Sequence, residues 1–361
     1  MPAPQSQSQS QSQSQSQSQP QSQSQSQFRS LPSADDLAAR LAKGERRALA
    51  KAITLVESAR DDHRAVAEEL LQRIMPQTGN SLRIGLSGVP GVGKSTFIEA
   101  FGAHVTGKAH KVAVLAVDPS SKRSGGSILG DKTRMEELSR NPNAFIRPSP
   151  AGETLGGVAR RTRESLLLCE AAGFDVILVE TVGVGQSETA VADMTDMFVL
   201  MLLPGGGDEL QGLKKGIVEL ADMILVNKAD GALEREARRS AADYHGALNL
   251  LSGGKTGGWK PPVKTCSAVT GAGISEAWDL MQDFQRAAVE AARFDKRRAD
   301  QARSWLHEEL AAGLVQALKR DPQLGQDLPD IEADVMARKR PATVAAKALI
   351  EAFLDRRAGG K

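Results

Sequence analysis

Gly88-Val89-Pro90-Gly91-Val92-Gly93-Lys94-Ser95-Thr96 decides the fold of this chain. The stretch fits the pattern GxxxxGK[ST]. It follows the short apolar run Arg83-Ile84-Gly85-Leu86-Ser87 and opens a helical segment from Lys94 to Val105. Strand, glycine loop and helix in that order are the context a phosphate-binding loop requires. The glycines let backbone N–H groups turn inward around phosphate oxygens, and the helix N-terminus adds partial positive charge. In this reading Lys94 reaches the β- and γ-phosphates as a point charge, and the Ser95 hydroxyl is a ligand of Mg²⁺.

Downstream, apolar runs alternate with helical segments. Val112 to Val117, Asp175 to Val179, Met197 to Leu203 and Met223 to Val226 read as strands, and Pro262 to Thr265 as a weaker one. Leu155 to Ala172 is one of the helical segments between them. Near-continuous apolar strands separated by helices predict an α/β fold with a mostly parallel, doubly wound sheet. Helical patterns flank it, from Ala34 to Met75 and again after Ile274. In the second region Leu306, Leu310, Leu314 and Leu318 recur every fourth residue, and a last helix is expected from about Asp330 to Arg357. The expected organisation is a Gln/Ser-rich tail over 1–33, a helical extension over 34–79, a nucleotide-binding domain over 80–285 and a helical arm over 286–361.

Asn227-Lys228-Ala229-Asp230 directly follows the run Met223 to Val226, at the strand end where ligands bind in open α/β sheets. A carboxylate has acceptors and no donor. Asp230 therefore matches the N1–H and 2-amino donors of guanine, a pair that adenine lacks. The Lys228 stem can pack on the base, and Asn227 can tie this loop to the phosphate loop. Ser267-Ala268-Val269 has the form of a second base-side loop, where a backbone N–H meets the guanine oxygen. The ligand expected is GTP or GDP.

Hydrolysis needs carboxylates near the metal and a sensor of the γ-phosphate. Glu180-Thr181-Val182-Gly183 has the form of a DxxG element with Glu in place of Asp. Gly183 would contact the γ-phosphate and Glu180 a metal-bound water. Asp118 and Asp131 are further candidates for the metal site, since Mg²⁺ takes oxygen ligands and keeps several waters. Val184 stands where some GTPases place a water-orienting Gln, and Gln186 lies farther on, so slow unassisted hydrolysis is expected, with acceleration supplied by a partner. The glycine-rich segment from Pro204 to Lys215 carries Asp208, Glu209, Lys214 and Lys215. It reads as an additional switch, with Lys214 as a candidate catalytic residue.

Composition excludes several classes. The chain has 361 residues and a net charge of +2, with 4% aromatic residues, so neither a basic nucleic-acid face nor a stacking platform is indicated. Cys169 and Cys266 form no CxxC pair, which fits a reducing cytoplasm rather than a disulfide framework or zinc site. No apolar run is long enough for a membrane span, and the Gln-Ser repeat from Gln5 to Gln27 has no signal-peptide pattern. That repeat has nothing to bury against the entropy of ordering and reads as disordered. The five histidines are scattered and read as surface or packing residues.

Taken together, the motifs resemble the MeaB/ArgK family of P-loop GTPases, relatives of the human methylmalonic aciduria type A protein. The resemblance covers about residues 34–285. It rests on Val117-Asp118-Pro119-Ser120-Ser121, the block from Gly125 to Met135, Arg147-Pro148-Ser149, the block from Val179 to Glu188, and Asn227-Lys228-Ala229-Asp230. It implies a GTP-binding and GTP-hydrolysing chaperone of an adenosylcobalamin-dependent acyl-CoA mutase, usually methylmalonyl-CoA mutase. Such a protein gates cofactor loading and protects or reactivates the mutase, sometimes with an adenosyltransferase in the complex. It also implies a homodimer formed through the C-terminal arm. Three competing readings fit less well. A nickel-type metal-delivery GTPase would need a His-rich tract or close Cys pair, absent from this sequence. A transport-associated kinase conflicts with the guanine-type Asn227-Lys228-Ala229-Asp230, and a non-catalytic module with an intact Lys94, Ser95 and Glu180.

Overall fold

The computed structural model describes residues 31–117, 135–148, 155–181, 187–205, 215–251 and 258–359. The described chain begins with three helices, α1 (Ala34–Ala42), α2 (Arg46–Val56) and α3 (Asp61–Ile74). Ser33 caps α1 by accepting from the Asp36 amide at 3.1 Å, and Asp35 and Asp36 complement the dipole of its first turn. There follow β1 (Leu82–Gly88), α4 (Lys94–Gly107), β2 (Val112–Val117), α5 (Glu136–Arg140), β3 (Ala144–Arg147), α6 (Leu155–Ala171), β4 (Val176–Thr181) and α7 (Ser187–Ala192). The second half of the sheet is β5 (Met197–Leu202), α8 (Lys215–Leu220), β6 (Met223–Val226), α9 (Glu234–Leu251) and β7 (Val263–Thr265). The chain ends in α10 (Ile274–Glu290), α11 (Arg293–Arg320), α12 (Leu324–Met336) and α13 (Ala342–Gly359).

The seven strands form one sheet in the order β3-β2-β4-β1-β5-β6-β7, and every pairing is parallel. Alternate residues of the central strands feed two cores. Ile177 and Val179 of β4, with Phe198, Leu200 and Leu202 of β5, join Leu37, Ile53 and Leu70 of the N-terminal helices on one face. Leu82, Ile84 and Leu86 of β1, with Val199 and Met201 of β5, join Phe97 and Phe101 of α4 and Trp278 and Met281 of α10 on the other. Burial on both faces is why the strands read as apolar runs rather than alternating ones. The chain leaves β1 for β2, β3 and β4 on one side and later for β5, β6 and β7 on the other. The phosphate loop, at the C-terminal end of β1, thus sits where strand order diverges, the place such sheets bind ligands.

The structure refines the sequence reading at two places. Ala144–Arg147 is an edge strand that four residues could not announce. The helix expected over 330–357 is two helices, because Arg338 adopts a left-handed φ of 60° and Pro341 follows. Proline removes an amide and disfavours helix in the residue before it, so the chain turns there. The leucine stripe lies on α11, where Leu306, Leu310 and Leu314 are 58%, 52% and 62% exposed.

Candidate functional site

Four elements, three loops and the end of β4, converge at the C-terminal edge of the sheet. The first is the phosphate loop between β1 and α4. Gly93 caps α4 with φ of 95°, and a Cβ there would lie 2.7 Å from Asn227 Nδ2. Both facts demand glycine: the backbone is left-handed, and the base-side loop closes against it. Lys94 is buried, and its Nζ donates to the carbonyl of Gly88 at 2.7 Å and of Val89 at 3.4 Å. The ammonium is thereby held inside the loop, pre-placed for an anion. Burial pushes its pKa below the usual lysine value, while the nearby Glu180 and Glu188 carboxylates pull it back up. Pro90, Gly91 and Thr96 are exposed, Val89 and Ser95 half-buried, and Val92 is wholly buried under the loop.

The second element is the end of β4. Glu180 is half-buried, and the Ser95 hydroxyl lies 3.5 Å from its Oε1. A hydroxyl and a carboxylate at this separation form a hard-oxygen pair of the type Mg²⁺ takes. Beneath them the buried Thr181 donates to the Ser87 hydroxyl at 3.0 Å, pinning β4 to β1. The sequence reading assigned no role to Glu188, in the first turn of α7. The structure buries it at 3% exposure, close enough to act on Lys94. Its position inside the quoted block Val179 to Glu188 was the available signal.

The third and fourth elements are the base-side loops, joined to the phosphate loop by Asn227. This side chain is 1% exposed. Its Nδ2 donates to the Val92 carbonyl at 2.8 Å, and its Oδ1 accepts from the Ala268 amide at 3.1 Å and the Cys266 thiol at 3.6 Å. Lys228 is exposed and holds a left-handed φ of 59°, a backbone state that non-glycine residues adopt where surroundings impose it. The imposing contacts are visible: the Asn227 amide bonds to Leu202 O at 2.9 Å and the Ala229 amide to Cys266 O at 3.0 Å. Asp230 stands half-buried after them. In the fourth element Ser267 and Ala268 are buried and Val269 is 79% exposed. The Ala268 amide is already committed to Asn227, whereas the Val269 amide bonds to nothing among the described residues.

Lys94, Ser95 and Glu180 are thus brought together, and Asn227 ties the residues flanking Asp230 and Ala268 to the same loop. Asp118, Asp131, Gly183, Val184, Gln186 and Lys214 lie outside the described residues. Both cysteines are buried and free, and burial pushes the Cys266 thiol up to about 12, so it is a packed hydrogen-bond donor rather than a nucleophile. His110 pairs with Asp175 at 2.6 Å and packs edge-on against Trp278, which makes it a structural residue away from the site.

Comparison with known proteins agrees with this geometry. The profile of a family described as methylmalonyl-CoA mutase-associated GTPase MeaB matches residues 49–323. A putative GTPase of Caulobacter vibrioides is 54% identical over 319 residues, covering 88% of this chain and 97% of that protein. The methylmalonic aciduria type A homolog of Mus musculus, a mitochondrial protein, is 48% identical over 332 residues, covering 89% and 80%. Among solved structures, one titled LAO/AO transport system kinase superposes with a TM-score of 0.70 at 39% identity, covering 89% of this chain and 97% of that one. A phosphate loop and a guanine-type base loop bridged by one buried asparagine, on a parallel sheet matched this widely, place the chain in the MeaB family of P-loop GTPases.

Proposed function

We propose that this GTPase serves an adenosylcobalamin-dependent acyl-CoA mutase, methylmalonyl-CoA mutase being the client, by gating cofactor loading and by protecting or reactivating the enzyme. The observation that carries the reading is the 48% identity to a methylmalonic aciduria type A homolog across 89% of the chain. In this reading Lys94 holds the β- and γ-phosphates, the loop amides from Gly88 to Thr96 cradle them, and Asp230 accepts from guanine while the Lys228 stem covers the base. The Val269 amide is the free donor for the guanine oxygen.

Ser95 and Glu180, with Asp118 and Asp131 from outside the described residues, would hold Mg²⁺. Bound there, the ion neutralises charge on the phosphates. This chain's own contribution is positioning and electrostatics: Lys94 is already desolvated and aimed, so it stabilises charge on the transferred phosphoryl group without reorganising. The reading places the protein in the cytoplasm as a homodimer. The exposed leucines of α11 supply an apolar face for that contact. An adenosyltransferase is a further candidate member of the complex.

The test is phosphate release with and without purified methylmalonyl-CoA mutase. Slow release that the mutase stimulates supports the reading, with Lys214→Ala losing stimulation at unchanged basal rate. Lys94→Ala should abolish nucleotide binding and hydrolysis together. No complex and no stimulation with any cobalamin-dependent acyl-CoA mutase would overturn it.

A further inference from the structure

Three side chains of the C-terminal arm converge on one short segment of the nucleotide-binding domain. Along the first turns of α11, Arg297, Arg298 and Gln301 all reach the stretch from Ala192 to Asp196, which joins α7 to β5. Arg297 donates to the Ala192 carbonyl at 3.3 Å and to Asp222 Oδ2 at 3.3 Å. Gln301, 8% exposed, donates to the carbonyl of the fully buried Thr195 at 2.8 Å. Arg298 grips both oxygens of Asp196, at 2.8 and 2.7 Å, and also donates to the carbonyls of Gly79 and Ser81 at 2.6 and 2.7 Å. Asp196 in turn accepts the Arg83 amide at the start of β1 at 2.8 Å, and Arg83 forms a buried two-pronged pair with Glu170 of α6 at 2.9 and 2.8 Å.

The same segment is tied to the nucleotide end of the molecule. α7 is only six residues long and is preceded by the stretch that carries Gly183. Its first turn contains Glu188, whose buried carboxylate acts on Lys94. Its C-terminal end lies close against β1: a Cβ on Gly85 would fall 2.8 Å from both Val191 Cγ1 and Thr195 Oγ1. Gly85 therefore lets the segment lie on the strand that ends, three residues on, in the phosphate loop. A six-residue helix with one end beside Lys94 and the other followed by a segment held by buried, charge-assisted bonds is coupled to the residues that hold it. Packed elements of this kind tend to move between discrete arrangements rather than deform.

We propose that Arg297, Arg298 and Gln301 are a coupling clamp through which α7 transmits nucleotide state to the C-terminal arm. Linkage makes the effect reciprocal: whatever binds or repositions the arm changes the preference for GTP over GDP by the same factor that nucleotide changes arm binding. Glu308 and Trp305 extend the clamp along α11. Arg163 of α6 meets Glu308 at 2.6 Å and lies 5.1 Å over the Trp305 ring.

The experiment uses the full-length wild-type chain first. Backbone deuterium exchange is compared between the GDP-bound and non-hydrolysable GTP-analogue-bound states. The proposal expects peptides spanning 187–196 and 293–305 to change protection together. No difference in 293–305 overturns it, whether or not 187–196 responds. Fluorescent-nucleotide titrations then compare Gln301→Leu and Arg297→Ala with Arg303→Ala, whose side chain pairs, among the described residues, only with the exposed Asp300 on the same helix. The ratio of GDP to GTP-analogue affinity should shift at least threefold in the first two and stay at the wild-type value in the third. A wild-type ratio in both clamp variants, or an equal shift in Arg303→Ala, overturns the coupling. Should a clamp variant fail to fold, the wild-type exchange result decides.

Discussion

Replacing Asn227 with Ala removes a side chain that bonds both the phosphate loop and the second base-side loop. The cost follows from what is left behind. The Val92 carbonyl loses its 2.8 Å donor and the Ala268 amide its 3.1 Å acceptor, and Val92 and Ala268 are 0% and 8% exposed. An orphaned buried backbone group costs about 1–3 kcal/mol, so the pair gives about 2–6 kcal/mol. The truncation also opens space beside Gly93, where Asn227 Nδ2 now stands 2.7 Å from an added Cβ position. A water entering there satisfies part of the deficit, which favours the low end, about 2–3 kcal/mol. The loops must be restored to their bound arrangement when GTP enters, so an affinity loss of roughly 30-fold or more accompanies about 2 kcal/mol. Denaturant unfolding without nucleotide and calorimetric titration with GTP measure the two effects. Both should fall in Asn227→Ala. An unfolding free energy within about 0.5 kcal/mol of wild type, with GTP affinity unchanged, would refute the view that Asn227 holds the two loops together.

Three further outcomes separate recognition from architecture. Asp230→Asn sets an NH₂ donor against the guanine donors and should weaken GTP at least about tenfold, roughly 1.4 kcal/mol, while leaving apo stability near wild type; wild-type binding of ATP as tight as GTP would sink the guanine assignment. Arg298→Ala leaves Asp196 and Glu170, 2% and 6% exposed, without a shared cation, and should cost about 3–5 kcal/mol by denaturant unfolding. Glu164 is pushed up to about 7 by burial, against a usual value of 4.5, with Arg160, Arg64 and Arg161 opposing and Glu309 adding to the shift. Its protonated form is favoured on folding, so its stabilising contribution is full below about pH 4.5 and lost as pH rises through about 7. Melting temperatures from pH 5 to 8 should therefore show Glu164→Gln gaining on wild type as pH rises, and parallel curves would disprove the shift.

Much of this molecule was legible in the chain itself. Gly88 to Thr96 could be read because a phosphate loop needs glycines, a lysine and a hydroxyl at fixed spacing, and the flanking strand and helix are local. The Asn227-to-Asp230 loop was legible for the same reason, and the apolar runs announced a sheet buried on both faces. The edge strand Ala144–Arg147 stayed hidden because four residues pair only when β2 lies beside them. The split of the last helix fell at a left-handed Arg338 followed by Pro341, and of the two only the proline is written in the sequence. Local sequence named Asn227 as a tie, but that it reaches Val92 with one atom and Ala268 with another is a matter of distances between loops. Glu188 near Lys94, Thr181 on Ser87, and Arg298 on Asp196 are likewise decisions of the tertiary structure. Each joins residues far apart in the chain, and an ordinary Glu, Thr or Arg declares no partner until folding removes water and brings specific partners within reach.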